Sequence, residues 1–177
     1  LYHRFGDVQT NLMVDLFYTD LRDVFVLRKL DEVDAAGNTV LERCNGGGAR
    51  VAGINLEAKA MFPNRMQLQA GATWQSSRYK SPEYWSENEN VAPVRRMFRT
   101  PRLYGYFTFS YNPVKPLQIA LSGTYTGSML VQHLESSGTP VDVAVTTPDF
   151  FDVNLKVSYD FKIFNHSKLQ INAGIEN

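Results

Sequence analysis

The sequence predicts an all-β fold, an antiparallel segment of a transmembrane β-barrel wall with about seven strands. Three observations carry that expectation. Apolar and polar residues alternate with the two-residue period of a strand through most of the chain. The alternating segments reach or exceed the roughly 9–11 residues that a strand tilted at about 45° needs to cross a bilayer core, whereas soluble strands usually run about 5–6. Connections alternate as well: 63–65, 112–116 and 163–167 are tight, while 22–48, 81–100 and 132–148 are long. Bacterial outer-membrane barrels are built this way, with short periplasmic turns and long external loops.

The strands follow in order. The first, 8–21, sets Leu12, Val14, Leu16 and Tyr18 on the face meant for lipid. Asn11, Met13, Asp15 and Thr19 oppose them, with Phe17 an apolar exception on the inner face. Residues 1–7 read as the tail of a preceding strand and its turn. Beyond the membrane the chain continues through 24–30 and returns from Thr39 as a protruding hairpin, turning at 34–38, where Gly37 and Asn38 tolerate positive φ. Gly46, Gly47 and Gly48 then form a hinge; no Gly-Lys-Ser/Thr follows to make a phosphate loop. The second strand, 49–62, puts Ala52, Ile54, Leu56, Ala58, Ala60 and Phe62 against Asn55, Glu57 and Lys59. In the third, 66–80, Met66, Leu68, Ala70, Ala72 and Trp74 oppose Gln67, Gln69, Thr73 and Gln75. The fourth, 100–111, offers Leu103, Phe107, Phe109 and Tyr111 against Arg102, Thr108 and Ser110, blurred by Tyr104, Gly105 and Tyr106. Leu117, Ile119, Leu121, Tyr125 and Met129 oppose Gln118, Ser122, Thr124 and Thr126 in the fifth, 117–131. In the sixth, 149–162, Phe151, Val153, Leu155, Val157, Tyr159 and Phe161 oppose Asp152, Asn154, Lys156, Ser158 and Asp160. The seventh is 168–176.

Tyr18, Trp74, Tyr79, Tyr111, Tyr125 and Phe161 gather near strand ends, where an amphipathic ring suits the boundary between lipid and water. A formal net charge of zero argues against a nucleic-acid partner, whose footprint is a basic excess. Cys44 is the single cysteine, so no disulfide forms within the chain; it falls in an external loop as a free thiol or one paired outside this segment. With no signal peptide and no initiator Met, the chain reads as an excised or trimmed piece of an exported protein.

Catalysis and cofactor binding are not expected. His3, His133 and His166 are too dispersed for a metal site, and neither His-Glu-x-x-His nor Gly-x-Ser-x-Gly occurs. His133 near Ser136 and Ser137 is the one local hint of rim chemistry, and Asn165-His166-Ser167 matches a glycosylation acceptor only by chance, in a periplasmic turn. Asp15, Glu57, Lys59, Arg102, Asp152, Lys156 and Asp160 are expected to keep the inner face wet. The ligand-binding candidates lie in the loop 81–100. Tyr84 and Trp85, and Arg95 and Arg96, are the residue types favoured as anchors at binding surfaces, set among Glu83, Glu87, Glu89 and Arg99. The same arginines also suit lipopolysaccharide phosphates, or solvent.

Taken in order, NLMVDLFYTDLRDVF, GINLEAKAMFPNRMQLQAGATWQSSRY, RTPRLYGYFTFSYNP, GTYTGSML, FFDVNLKVSYDF and LQINAGIEN resemble the C-terminal half of the barrel of a TonB-dependent outer-membrane receptor, particularly the Bacteroidetes branch. Asn55 departs from the acidic residue many relatives carry there. The resemblance implies a 22-strand barrel filled by an N-terminal plug with a short TonB-contacting segment, located in the bacterial outer membrane and energised through TonB. It implies uptake of a scarce or bulky nutrient such as an iron-siderophore, haem, cobalamin or a glycan. On that reading residues 1–177 are the C-terminal portion of the barrel, and its partners are outer-membrane lipid, the plug and the missing strands. Physics agrees: a seven-strand wall has two open edges, which lipid does not tolerate. Two other readings remain at this point, a small outer-membrane barrel serving as adhesin or anchor, and a soluble lipocalin-like binder with its apolar face turned inward.

Overall fold

Alternation extended over a dozen residues produces long antiparallel strands, and the computed structural model of the chain is built from little else. It describes residues 1–37, 39–86, 88, 90–135, 138–164 and 167–177. In chain order the strands are β1 (Tyr2–Phe5), β2 (Val8–Leu21), β3 (Phe25–Val33), β4 (Thr39–Asn45), β5 (Ala49–Met61), β6 (Met66–Glu83), β7 (Val94–Arg96), β8 (Leu103–Val114), β9 (Leu117–Thr126), β10 (Leu130–His133), β11 (Val143–Thr146), β12 (Phe150–Phe164) and β13 (Ser167–Ile175). The main sheet runs β1-β2-β5-β6-β8-β9-β12-β13, with β7 added to β6. Each neighbour is antiparallel, as in an up-and-down barrel wall.

Register carries the two faces across the whole sheet. One lateral row joins Leu12, Ala58, Ala70, Phe107, Gly123 and Val153. The next joins Ala60, Leu68, Phe109, Leu121, Leu155 and Ile175. On the opposite face Asn11, Lys59, Gln69, Thr108, Ser122 and Asn154 align. No layer covers the apolar side: Leu16 is 75% exposed, Trp74 65% and Phe151 54%, and Ala49 is the one buried hydrophobic among the described residues. A bare apolar area of this extent marks an interaction surface in a water-soluble protein, and is the normal exterior of a barrel in lipid. Phe151 and Phe161 bound it on β12. Ten residues at about 3.3 Å each, tilted about 40°, span about 25 Å, the height of the apolar band of outer-membrane barrels.

Two aromatics that disturbed the alternation, and a third that obeys it, share one packing arrangement. Phe17 lies opposite Gly53 and Tyr106 opposite Gly71, both on the polar face, while Phe107 lies opposite Gly123 on the apolar face. A Cβ at those glycines would stand 2.5, 2.6 and 2.4 Å from the facing ring, so each ring lies flat over a strand where no side chain stands.

Residues 2–5 pair with β2, as the expected tail and turn require, and β3 with β4 forms the protruding hairpin. Gly37 has φ +82°; its neighbour Asn38 lies outside the described residues, as do Asn165 and His166. Two expectations are corrected. The fifth strand ends at Thr126 instead of 131, because the Gly127 N–H donates to the Leu103 carbonyl and Asp149 accepts from the Ser128 N–H, so the chain turns and 130–133 pairs with β11. Tyr79 leaves the lipid-side girdle: its partner is Ala49 and its odd position puts it on the polar face, whereas Tyr18, Trp74, Tyr111, Tyr125 and Phe161 all sit on the apolar face.

Candidate functional site

The end of the sheet bearing the long connections carries the chemistry. β6 overshoots β8 by continuing to Glu83, paired with β5 as far as Tyr79, and β7 returns along it with Glu83 opposite Val94 and Arg78 opposite Arg96. Tyr84 and Trp85 therefore follow directly on one limb of the returning loop, and Arg95 and Arg96 on the other. The four sequence candidates then divide. Tyr84, 77% exposed, and Arg95 face solvent, with Arg95 Nη1 donating to the Lys80 carbonyl at 3.3 Å. Trp85 and Arg96 are half-buried and also make contacts within the rim. The Trp85 ring packs edge-on to Phe98 at 5.4 Å, and Arg96 Nη2 donates to the Ser128 carbonyl at 2.7 Å. Burial, with Arg102 nearby, pushes the Arg96 pKa below its usual value. Glu83 is half-buried too, and desolvation raises its carboxyl. Glu87 and Glu89 lie outside the described residues.

A second loop closes over the first. Ser86 Oγ donates to Asp142 Oδ2 at 2.7 Å, and the Arg99 N–H donates to the Leu130 carbonyl at 2.8 Å, with Arg99 at φ +56°. Asp142 Oδ1 accepts from the Glu135 N–H at 2.8 Å. The Ser86 hydroxyl first, and that backbone donor second, hold the Asp142 carboxyl below the ordinary carboxylate range. At the foot of this loop Asp149 accepts from Tyr125 Oη and the Ser128 N–H, both at 2.7 Å. Sequence reasoning missed Ser86, Asp142 and Asp149, whose partners stand 56, 56 and 24 positions away and leave no local pattern. His133 ends β10 opposite Val143; Ser136 and Ser137 lie outside the described residues.

Because a depressed carboxyl pKa stabilises the fold only while the group is ionised, the Ser86–Asp142 link is present above the unfolded aspartate range and is lost as pH falls through the lower folded value. Limited proteolysis between 127 and 149 should therefore accelerate only in acid below the ordinary aspartate range, and Asp142→Asn should remove that dependence.

Below the rim the polar face is a ladder. Thr73 Oγ1 donates to Asn55 Oδ1 at 2.8 Å and Asn55 Nδ2 to Asp15 Oδ2 at 3.2 Å, three residues in one lateral row. Gln69 Nε2 reaches Tyr106 Oη at 3.2 Å, and Gln170 Nε2 reaches Asp160 Oδ1 at 2.8 Å. Glu57, Lys59, Asp152 and Lys156 share this face, as expected, and Arg102 borders it through the hydrogen bond its carbonyl accepts from Gln75. Between Met13, Glu57, Thr73, Tyr104, Tyr106 and Thr124 lies a hollow of about 810 Å³. Among the described residues no three His, Cys, Asp or Glu side chains are grouped to hold a metal. The arrangement offers polar and aromatic contacts under a stitched rim, suited to holding a solute or a protein segment.

The family model described as TonB dependent receptor-like, beta-barrel, matches residues 2–177. Among solved structures, the chain is similar to the closed form of the ferric-catecholate import receptor Fiu from E. coli K12. The identity is 19% and the TM-score 0.58, over 94% of this chain and 20% of that one. This chain thus spans about one fifth of that receptor's length, and the likeness speaks for the fold. No curated protein matches the chain. Two faces carried in register across the sheet, an uncovered apolar exterior and a match over nearly every residue place the chain in the family of TonB-dependent receptor β-barrels.

Proposed function

We propose that this chain is the C-terminal portion of the barrel of a bacterial outer-membrane receptor that takes up a scarce or bulky nutrient, energised through TonB. The observation that carries the reading is the uncovered apolar face, held in register from β2 to β13 and backed by a polar face with a hollow. Lipid is the one solvent in which that exterior is favourable, and a polar interior suits a plug and a passing solute. The rest of a 22-strand wall, the plug domain and the segment that meets TonB belong to the longer protein. The solved receptor it resembles imports a ferric-catecholate, which supports the uptake class; a siderophore, cobalamin or a glycan all fit the reading for this chain. In this role the chain binds and conducts and does no bond-making chemistry.

Thiol labelling, uptake and proteolysis test this. In the intact receptor, single cysteines at Ile54 and Val153 should resist a water-soluble thiol reagent, while those at Asn55 and Asn154 should react; equal labelling within each pair would end the membrane reading. Uptake should require TonB. Tyr84→Ala with Arg95→Ala should weaken uptake while the barrel keeps its resistance to heat in detergent. Trp85→Ala or Arg96→Ala should instead loosen the loop and raise its proteolysis. Unchanged uptake in the Tyr84 and Arg95 double variant would return both side chains to ordinary surface.

A further inference from the structure

One lateral row of the polar face carries two carboxylates and no cation. Met13, Glu57, Gly71, Tyr106, Thr124 and Asp152 are successive register partners across β2, β5, β6, β8, β9 and β12. The next row toward the long loops joins Asp15, Asn55, Thr73, Tyr104 and Thr126, again with a carboxylate and no cation. These two rows supply most of the lining of the hollow of about 810 Å³, and no Lys, Arg or His is among its described lining residues. The basic positions closest along the strands lie outside it, Lys59 two residues past Glu57 and Arg102 two residues before Tyr104.

Gly71 sets the geometry. With no side chain there, the Tyr106 ring lies over β6, its Cε1 2.6 Å and its Oη 3.2 Å from where a Cβ would stand, and Gln69 Nε2 donates to that Oη at 3.2 Å. One face of the ring is laid against the strand and the other is turned to the polar side, with 38% of the residue exposed. Glu57 comes next in the row beyond Gly71, one strand spacing of about 4.8 Å away. Its half-buried carboxylate has no hydrogen-bond or ion-pair partner among the described residues. On the other side of the ring, beyond Thr124, Asp152 Oδ1 is buried and also without a donor. A cation satisfies such a place: the carboxylate pairs with its charge, and the fixed ring attracts it through the negative face of its π-system. An anion there would meet carboxylates in two rows and no countercharge.

We propose that Glu57 and the open face of Tyr106 form a subsite for a cationic group, an ammonium or guanidinium carried by the polar solute that the receptor takes up, with Asp15 and Asp152 adding to the negative potential. The hollow lies at the long-loop end of the polar face, beneath Pro101, where a solute arriving from outside is met first. The subsite rests on the uptake reading above and narrows it to solutes that carry positive charge.

Cys44→Ser and Thr73→Cys are introduced together into the intact receptor, so that a single thiol of this chain stands in the hollow. Its labelling by a trimethylammonium thiosulfonate is compared with that by the sulfonate counterpart, each rate normalised to a free cysteine. The cationic reagent should react at least about tenfold faster, and Glu57→Gln should cut that preference about threefold or more. Millimolar tetramethylammonium, set against sodium at equal ionic strength, should slow the labelling, and Tyr106→Leu should abolish this protection while the charge preference stays. Equal rates for the two reagents, or a preference that Glu57→Gln leaves unchanged, overturns the subsite, as does protection that survives Tyr106→Leu. A thiol that neither reagent reaches would mean that a protein segment such as the plug fills the hollow, and would overturn the solute assignment. Cysteines at 153 and 154, labelled in the same receptor, report the membrane reading independently. If either variant fails to fold, the rate ratio and the tetramethylammonium protection with Glu57 and Tyr106 in place decide.

Discussion

Leu155→Arg is expected to destabilise the intact barrel by roughly 2–4 kcal/mol, the range for arginine placed near the middle of the lipid face of an outer-membrane barrel. Leu155 is close to midway between Phe151 and Phe161, is 39% exposed, and has Leu121 and Ile175 as its lateral neighbours. A guanidinium there meets neither water nor a carboxylate. One position earlier the outcome reverses. Asn154 lies on the polar face and donates to Asp152 Oδ2 at 2.9 Å, so Asn154→Lys exchanges that bond for an ion pair and should change stability by under about 1 kcal/mol. Urea titrations of the receptor in vesicles measure both. Equal costs at 154 and 155 would mean that the sheet does not present one side to lipid.

Gly105→Val should cost about 1–3 kcal/mol, the usual range for overpacking, and no single neighbouring change should restore it. A Cβ at Gly105 would stand 2.5 Å from the Gly71 carbonyl oxygen, and that oxygen belongs to the backbone of β6. Relief therefore requires β6 and β8 to separate. Gly71→Ala is the contrasting case: its clash is with the Tyr106 ring at 2.6 Å, and Tyr106→Ala should recover most of the loss. A double-mutant cycle distinguishes the two. Rescue of Gly105→Val by trimming a side chain would show that the strands approach less closely there than described.

The faces were legible because a strand has a period of two, so Ile54 and Asn55, or Val153 and Asn154, declare their sides without any knowledge of their partners. The rim was far less so. Ser86 and Asp142 are joined across two loops, and nothing in either segment states that distance. Proximity to a strand end suggested a lipid-side Tyr79, but parity, counted from Trp74, puts it on the polar face opposite Ala49. The small sheet of β10 and β11 was hidden because its alternation continues that of β9, and the break at Gly127 depends on a carbonyl from Leu103. Of the four loop residues, Trp85 and Arg96 were chosen as ligand anchors by residue type; the same bulk and donors that serve a ligand also serve the loop's own packing.

Alternation has a blind spot that the aromatic–glycine couples remove. Slipping two strands by one residue reverses their faces and is rejected at once, but slipping by two returns every side chain to its proper side. After such a slip Phe17 would meet Val51 or Asn55 in place of Gly53. Tyr106 would meet Gln69 or Thr73, and Phe107 would meet Leu121 or Tyr125. No ring could then lie flat, and each would be lifted off the sheet. The three couples stand at three different seams, β2 with β5, β6 with β8 and β8 with β9, so they proofread the wall seam by seam as it assembles.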